Sequence, residues 1–149
     1  MICLIQRVQK ASVNINNSTV ATIGQGLLIF LGIHSRDSES EADWLARKCT
    51  RLRIFPDHVG QMNVSVCDFD ADILLVSQFT LYGNAKEGHR PSFTDAARPE
   101  VAEPLYEYFK NKLTRELGRA VSSGHFGASM QVSLINDGPV TIWLERTPE

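Results

Sequence analysis

Two uninterrupted apolar runs constrain the fold of this chain more than any other feature. Residues 26–33 read GLLIFLGI and lie between glycines, and residues 72–79 read DILLVSQF. A strand with one face in water alternates apolar and polar residues, whereas a short run that is apolar at nearly every position is typical of a strand buried on both faces. The chain is therefore expected to contain two fully buried strands.

Alternating and apolar segments elsewhere predict further strands. Residues 2–15 alternate, and Asn16-Asn17 can supply the positive φ angles of a hairpin turn before a return strand. Residues 57–63 are predicted to be a turn or loop. In chain order, the predicted strands span residues 2–10, 12–15, 19–23, 26–33, 54–55, 72–79, 130–135 and 140–144.

Two helices interrupt this series of strands. Ser38 and Glu41 have the spacing of a capping box and begin the first helix, which keeps helical periodicity to about residue 53. The second helix ends before Gly118 and begins at Pro99 or at Pro104, since proline is favoured in a first turn. The predicted order is β-β-β-β-α-β-β-α-β-β, which indicates one mixed α/β domain over residues 1–149.

Charge and cysteine content narrow the class of protein. The 15 Lys and Arg residues against 17 Asp and Glu residues give a net charge of −2. This charge argues against a broad nucleic-acid-binding surface but is compatible with binding one end of an RNA molecule. Cys3, Cys49 and Cys67 have no metal-ligand spacing and form no even disulfide set. With no signal peptide and no stretch of roughly 20 apolar residues, we expect reduced thiols, a cytoplasmic location and no membrane contact.

Familiar catalytic signatures are absent from the sequence. It contains no GxSxG elbow, HExxH helix, phosphate-binding loop or Gly-rich dinucleotide fingerprint. Histidines occur at positions 34, 58, 89 and 125, and no two have metal-ligand spacing on one element. We therefore expect no metal and no cofactor.

Ser77, Gln78, Phe79 and Thr80 end the second buried strand with three hydrogen-bonding side chains around one aromatic ring. Strand ends on a rigid scaffold are common places for active-site groups, and N–H groups just past such an end can hold a developing oxyanion. The alternative is an ordinary strand leaving the core with polar residues at its end.

The segment NDGPVT, residues 136–141, is the second departure from ordinary patterning. A Gly-Pro pair presents two carbonyls in fixed geometry with almost no side chain, and its X-Pro bond can be cis. That arrangement would suit a rigid backbone element that excludes bound groups by their shape. The alternative is an ordinary hairpin loop between two short strands.

Together, SQFT at 77–80 and NDGPVT at 136–141 resemble the SQxT and NxGPxT signatures of the D-aminoacyl-tRNA deacylase family, also called D-tyrosyl-tRNA(Tyr) deacylases. The resemblance covers essentially the whole chain. It includes the segments MICLIQRVQKASV, LRIFPD, QMNVS, RPSFTDAA, EPLYEYF and FGASMQVSLINDGPVTIWLE. The expected fold is then a set of mixed, mostly antiparallel sheets curled into a barrel-like core with two main helices packed outside.

The resemblance implies a hydrolase that cleaves the ester of D-aminoacyl-tRNA during proofreading of translation. It implies a homodimer in which Gly138 and cis-Pro139 of one subunit face Ser77, Gln78, Phe79 and Thr80 of the other. The Gly-Pro carbonyls would hold the substrate α-amino group and leave no room for an L side chain, while a D side chain would point to solvent. Glycyl-tRNA, which has no side chain, would also be accepted.

Family positions also imply roles for residues outside these signatures. Phe126 and Met130 would line the pocket for the terminal adenine, the alternative being that both are core residues. Arg7 would brace the Gly-Pro turn, the alternative being a surface cation. The remaining candidates are Asn136 and Thr141 for substrate binding, and Lys86, His89, Arg90 and Arg98 for acceptor-stem phosphates.

Two catalytic schemes are compatible with the sequence. In the first, backbone N–H groups around Phe79 and Thr80 stabilise the oxyanion and the ribose 2′-hydroxyl of the substrate assists. In the second, Thr80 is a covalent nucleophile. The first is favoured because no obvious base accompanies Thr80 in the sequence. Glu87 and His89 stand where relatives often carry basic or amide residues, which affects the expected tRNA contacts only.

Three other functions compete with this interpretation. A non-catalytic binder of RNA ends would share the pocket without turnover. A small-molecule hydrolase would cleave free D-amino acid esters as well as RNA-linked ones. A DNA-associated role would use the basic residues of the first helix, and it would require salt-dependent DNA binding. Those residues are Arg47, Lys48, Arg51 and Arg53.

Overall fold

The computed structural model describes residues 1–149 as a mixed α/β domain with eight strands, two α-helices and one 3-10 helix. The strands are β1 (Ile2–Ile15), β2 (Ser18–Ile23), β3 (Gly26–Gly32), β4 (Phe55–Pro56), β5 (Met62–Val64), β6 (Asp72–Ser77), β7 (Ser122–Ser123) and β8 (Gln131–Glu145). The helices are α1 (Glu39–Arg51), the 3-10 helix (Phe79–Tyr82) and α2 (Pro99–Leu117).

The long strand β1 organises the main sheet. One edge of β1 pairs antiparallel with β3 over residues 2–8 and with β2 over residues 11–15. The other edge pairs antiparallel with β8 over nearly its whole length. Strand β6 continues the sheet from β3 in parallel, and the short β7 follows it, also in parallel. The sheet is therefore mixed and mostly antiparallel, as predicted.

Both faces of β3 and β6 are buried, which confirms the interpretation of the two apolar runs. Alternate residues such as Leu27, Ile29 and Ile73 enter a large core beneath the two helices. The intervening Leu28 and Leu74 enter a second core, which is lined by residues of β1, β2 and β8. The sheet curls around this second core into a nearly closed, barrel-like layer, and the helices pack on its outer side.

Both helix predictions are confirmed, and the structure decides between the two possible starts of α2. The Ser38 and Glu41 side chains each bond the backbone of the other residue in the predicted capping box. Helix α2 begins at Pro99 and contains Pro104, and Gly118 ends it in the left-handed conformation. Pro104 costs one backbone hydrogen bond in the second turn, which the apolar face of the helix outweighs. Neither helix is long and apolar enough to cross a membrane.

Strand boundaries differ from the prediction in several places. Strand β7 was not predicted, and β4 covers residues 55–56 and not 54–55. The predicted strands 2–10 and 12–15 are one continuous strand, and 130–135 and 140–144 are parts of β8. The predicted loop 57–63 ends in β5, which pairs with β4. Strand β6 stops at Ser77, two residues earlier than predicted, because the chain coils into the 3-10 helix. All three cysteines are free, and two of them are buried, as predicted.

Candidate functional site

A cleft of about 570 Å³ opens beyond the carboxyl ends of the parallel strands β3 and β6. Crevices at this end of parallel strands are frequent ligand sites because the strands hold the loops that follow them. The cleft is lined by Leu31, Ile33, Val76, Ser77, Gln78, Phe79, Phe93, Ala96, Ala97, Arg98, Pro99, Ala102, Phe126, Gly127, Ala128, Met130 and Val132. The predicted residues Ser77, Gln78 and Phe79 thus meet Phe126 and Met130 in one cavity.

The SQFT segment forms the rigid floor of this cleft. The Gln78 N–H donates to the carbonyl of Leu31 at 2.8 Å, which extends the β3–β6 ladder by one bond. The 3-10 helix starts at the next residue, and no side chain caps it. Phe79 and Thr80 therefore have N–H groups with no acceptor inside the helix.

Two glycines allow the 3-10 helix to pack this closely. A Cβ atom on Gly32 would lie 3.0 Å from Leu81 Cβ, and one on Gly83 would lie 2.9 Å from the carbonyl of Thr80. Real Cβ contacts are rarely so short, so larger residues at these positions would push the helix outward. The geometry of the SQFT segment depends on glycines that lie outside either signature.

No side chain suited to act as a general base lines the cleft, where Arg98 is the single charged residue. The Gln78 side-chain amide donates to the Thr80 hydroxyl oxygen, which gives that hydroxyl a donor and no proton acceptor. Burial raises the pKa of the nearby Tyr106 to about 12 and that of Tyr82 well above its ordinary value. Both phenols therefore stay protonated at neutral pH.

Aromatic and sulfur-containing side chains form two opposite walls. The rings of Phe79 and Phe93 meet edge to face at 5.1 Å. On the other wall the Phe126 ring rests 5.6 Å from that of Tyr106, which is buried. Phe126 and Met130 are both half-buried, and each packs against one of the two cores as well as lining the cleft. Core packing and lining of the pocket are therefore compatible at both positions.

The Gly-Pro segment is extruded from the β1–β8 ladder. Gln6 pairs with Thr141 and Val8 pairs with Asn136, so residues 137–140 all face the single residue Arg7. The Gly138-Pro139 peptide bond is cis, as the resemblance implies. Both residues are exposed. We call residues 137–140 the Gly-Pro projection.

Arg7 holds the base of this projection. Its Nε donates to the carbonyl of Asp137 at 2.9 Å, and its Nη1 donates to the carbonyl of Ile54 at 2.6 Å. Its side chain is only 12% exposed, and the Asp137 carboxylate lies 3.6 Å away. The Arg7 side chain is therefore hydrogen-bonded to the turn and is not a free surface cation.

Within one chain, the two signature segments do not meet. Neither Arg7 nor any residue of 136–141 lines the cleft. Thr80 follows the cleft residues directly and is exposed. Lys86, His89 and Arg90 lie on an exposed loop closed by paired hydrogen bonds between Asn84 and Ser92, whereas Arg98 reaches the cleft.

The sequence as a whole matches a known family. Residues 4–145 match the family profile described as D-Tyr-tRNA(Tyr) deacylase, which spans nearly the entire chain. The chain belongs to this family. Its members are hydrolases that act on tRNA esters.

Individual relatives agree with this deacylase assignment. A D-aminoacyl-tRNA deacylase of Salinibacter ruber is 52% identical over 98% of this chain and 97% of its own length. One of Porphyromonas gingivalis is 54% identical over 95% of each chain.

Two solved structures share the fold of this deacylase-family chain. One, titled c-Myc DNA Unwinding Element Binding Protein, is 40% identical with a TM-score of 0.92, and the match covers 99% of this chain and 100% of that one. The other, a probable eukaryotic D-amino acid tRNA deacylase, is 20% identical with a TM-score of 0.84 over 96% and 97% of the two chains. The second likeness bears on the fold alone.

Sequence reasoning missed two residues of this deacylase-family site. Phe93 was noted only as part of the segment RPSFTDAA, and its place beside Phe79 depends on how the loop folds back. Gln6 is one polar position of the alternating segment 2–15, yet it bonds Thr141 of the second signature. The only sequence feature that could have identified Gln6 is its position beside Arg7.

Proposed function

We propose that this protein hydrolyses the ester that links a D-amino acid to the 3′-terminal adenosine of tRNA. Water adds to the ester carbonyl carbon, the carbon–oxygen bond to the ribose breaks, and the ribose oxygen takes up a proton. The observation that carries the proposal is the cleft in which the SQFT strand end faces Phe126 and Met130. Membership of a deacylase family supports the same reaction.

The active site is completed by a second copy of the chain. Gly138 and Pro139 are exposed on a projection that lies outside the cleft of their own chain. In the proposed homodimer, this projection enters the partner cleft and faces Ser77, Gln78 and Thr80 there. The separation of the two segments within one chain supports this arrangement, because contact between them then requires a second copy.

Selection works by rejecting L substrates. The projection would offer its carbonyls to the substrate α-ammonium group and block the space on the side of an L side chain. A backbone wall discriminates more strongly than an apolar pocket, which distinguishes similar groups by only about 10–200-fold. Glycyl-tRNA has no side chain to reject and would be cleaved as well. The biological role would be proofreading of mischarged tRNA in the cytoplasm.

Backbone groups, and not a side-chain nucleophile, carry the catalysis. The N–H groups of Phe79 and Thr80 have no acceptor within the 3-10 helix and are available to an oxyanion. No carboxylate, histidine, cysteine or lysine of the same chain lines the cleft, so the cleft supplies no side-chain base to the neighbouring Thr80. The ribose 2′-hydroxyl of the substrate would then assist the attack of water.

The apolar wall is suited to the terminal adenine, which can stack on Phe126 while Met130 adapts to its edge. Arg98 would contact a phosphate near the acceptor end, and Lys86, His89 and Arg90 would contact phosphates farther along. Asn136 and Thr141 would act through the position of the projection.

A DNA-binding function is not favoured by the surface of α1. Arg47 and Arg51 each lie within 4.0 Å of the Glu116 carboxylate, which offsets part of their charge. The net charge of −2 also provides no broad cationic face for a duplex.

The deciding experiment follows ester loss from D-tyrosyl-tRNA, L-tyrosyl-tRNA and a free D-tyrosine ester in parallel. We expect rapid loss of D-tyrosyl-tRNA alone. If neither RNA substrate loses its ester, the protein would be a non-catalytic binder of RNA ends. If the free ester is cleaved as fast as D-tyrosyl-tRNA, the protein would be a small-molecule hydrolase. Loss of both RNA substrates would contradict the rejection mechanism.

A second experiment separates the two catalytic schemes. The variant Thr80→Val keeps the backbone N–H and the side-chain shape but removes the hydroxyl. We expect kcat for D-tyrosyl-tRNA to stay within about 10-fold of the wild type, because deleting a single neutral hydrogen-bonding group costs about 0.5–1.5 kcal/mol. Abolished turnover with intact substrate binding would make Thr80 the nucleophile.

A further inference from the structure

A chain of three hydrogen-bonded side chains crosses the base of the Gly-Pro projection. Gln6 Nε2 on β1 donates to Thr141 Oγ1 at 3.2 Å, and Asn136 Nδ2 donates to the same oxygen at 3.1 Å. The Thr141 hydroxyl thus accepts two amide N–H groups, one from each strand. The two residues that flank the projection are thereby tied to each other and to the neighbouring strand.

Asn136 also replaces backbone bonds that the extruded segment has lost. Its Oδ1 accepts the N–H of Val140 at 2.8 Å, and its Nδ2 lies 3.3 Å from the carbonyl of Val140. Val140 is buried in the large core, so this bridge anchors the far end of the projection to a packed residue. The ends of the projection are therefore closed by a side-chain amide where the ladder is interrupted.

Of the three hydrogen-bonded side chains, only that of Gln6 belongs to neither signature. It pairs with Thr141 across the ladder and immediately precedes Arg7, which faces the projection. Arg7 fixes the first residue of the projection through the carbonyl of Asp137, and Gln6 fixes the residue that follows its last. Adjacent residues of β1 therefore hold the two ends of the same turn.

We propose that Gln6 is a positioning residue that determines chiral specificity by acting through Thr141 and Asn136 on the Gly-Pro projection. The proposal rests on the proposed function, in which this projection rejects L substrates. A steric wall excludes the wrong enantiomer only when it does not yield, and supports that loosen by about 1 Å degrade such sites. Gln6 touches no substrate in this arrangement, so its effect falls on discrimination and not on the chemical step.

The test compares five variants of the full-length protein, four single and one double. Gln6→Met removes the Gln6–Thr141 hydrogen bond with little change in volume, Thr141→Val removes this bond and the one from Asn136, and Thr141→Ser retains the hydroxyl. Gln131→Met is the matched control, because Gln131 is an exposed glutamine at the start of β8, far along the ladder from the projection. For each variant, kcat and KM are measured with D-tyrosyl-tRNA and L-tyrosyl-tRNA, and hydrogen exchange of the backbone amides is measured over residues 136–144.

We expect Gln6→Met to raise cleavage of the L substrate relative to the D substrate by about 3–10-fold, the range for one hydrogen bond, and Thr141→Val, which removes two bonds, to raise it at least as much. The Gln6→Met/Thr141→Val double variant should show about the same ratio as Thr141→Val alone, since the bond that Gln6→Met removes is already absent in Thr141→Val. Exchange over residues 136–144 should accelerate in both, while kcat for the D substrate changes little in Gln6→Met. Thr141→Ser and Gln131→Met should match the wild type.

The outcomes separate this inference from the function on which it rests. A wild-type protein that cleaves neither substrate contradicts the proposed function, and the exchange measurement then decides the positioning role by itself. A D-selective wild type whose ratio is unchanged in Gln6→Met contradicts the specificity role of Gln6 alone. Unchanged exchange in Gln6→Met contradicts positioning in either case.

Discussion

The cleft and the Gly-Pro projection carry the two signatures of this chain, and different forces hold them. The cleft floor continues β6, whose residues 73–76 are all buried, and it is packed through two glycine contacts. The projection lies outside the ladder and is held by the side chains of Arg7, Asn136 and Thr141. Apolar packing thus defines the cleft, and a few directional polar bonds define the projection.

This difference separates affinity from selectivity. Changes in a packed wall alter the volume and surface that a ligand meets, and their cost grows with buried area. Changes in a hydrogen-bonded turn move a few backbone atoms, and the loss of one hydrogen bond is enough to cause this movement. Substitutions in the cleft should therefore weaken binding of both enantiomers, whereas substitutions in the projection should alter the ratio between them.

The largest effect is expected from Gly138→Ala. Gly138 has φ +147°, and a Cβ atom there would lie 2.6 Å from Val140 Cγ2 and 2.8 Å from the Val140 nitrogen. The turn must shift, and a displacement of about 1 Å costs on the order of 100-fold in kcat/KM for the D substrate. Gly60→Ala is the control, because Gly60 also has positive φ, +82°, with open space around it. Equal losses in both variants would attribute the effect to backbone strain.

A smaller effect, mainly on stability, is expected from Arg7→Met. The variant removes the donors to Asp137 and Ile54 in a part-buried site, and unpaired buried carbonyls cost about 1–3 kcal/mol. Urea unfolding should show this loss together with reduced discrimination. Arg53→Met removes one exposed bond, to Asn63, and should cost less than about 0.5 kcal/mol. Unchanged stability in Arg7→Met would mean that the projection is held in place by other contacts.

A cleft substitution, Phe126→Leu, should weaken binding without changing selectivity. Stacking of a base on an aromatic ring contributes about 1–3 kcal/mol, so KM for D-tyrosyl-tRNA should rise by about 10-fold, and the D-to-L ratio should stay constant. Leucine retains apolar contact with the half-buried wall near Tyr106. A changed ratio would show that the cleft and the projection are not independent.

The smallest effect is expected far from both regions. Ser38→Ala removes the α1 cap and should cost about 1 kcal/mol of stability, with no change in KM or selectivity. Burial opposes ionisation of Glu41, but hydrogen bonds from the Ser38 hydroxyl and backbone outweigh it and lower the pKa of that carboxyl from its ordinary 4.5. Because the pKa is lower in the folded state, this contribution is present at neutral pH and is lost as the pH falls below 4.5.

Unfolding of the wild type and of Ser38→Ala at several pH values checks this prediction. The difference in unfolding free energy between the two proteins should shrink as the pH falls through the acid range. A difference that is the same at every pH would mean that the cap acts without the Glu41 carboxylate.

Local patterns in the sequence were sufficient for the parts of the fold that depend on local chemistry. The apolar runs identified β3 and β6 as doubly buried, and Ser38 with Glu41 identified the start of α1. The two signatures also located the strand end and the Gly-Pro turn. These features follow from side-chain burial and capping, which a short stretch of sequence contains in full.

Tertiary structure decided which distant backbone groups pair and which side chains meet. Alternation in residues 2–15 is compatible with several registers, and only the β1–β8 ladder determines that residues 137–140 all lie opposite Arg7. The same pairing brings Gln6 to Thr141, and the packing of the 3-10 helix brings Phe93 to Phe79. Burial and capping could be predicted from local sequence, whereas the arrangement of the site depended on long-range strand pairing, because all backbone N–H groups have the same chemistry and do not specify which carbonyl they will bond.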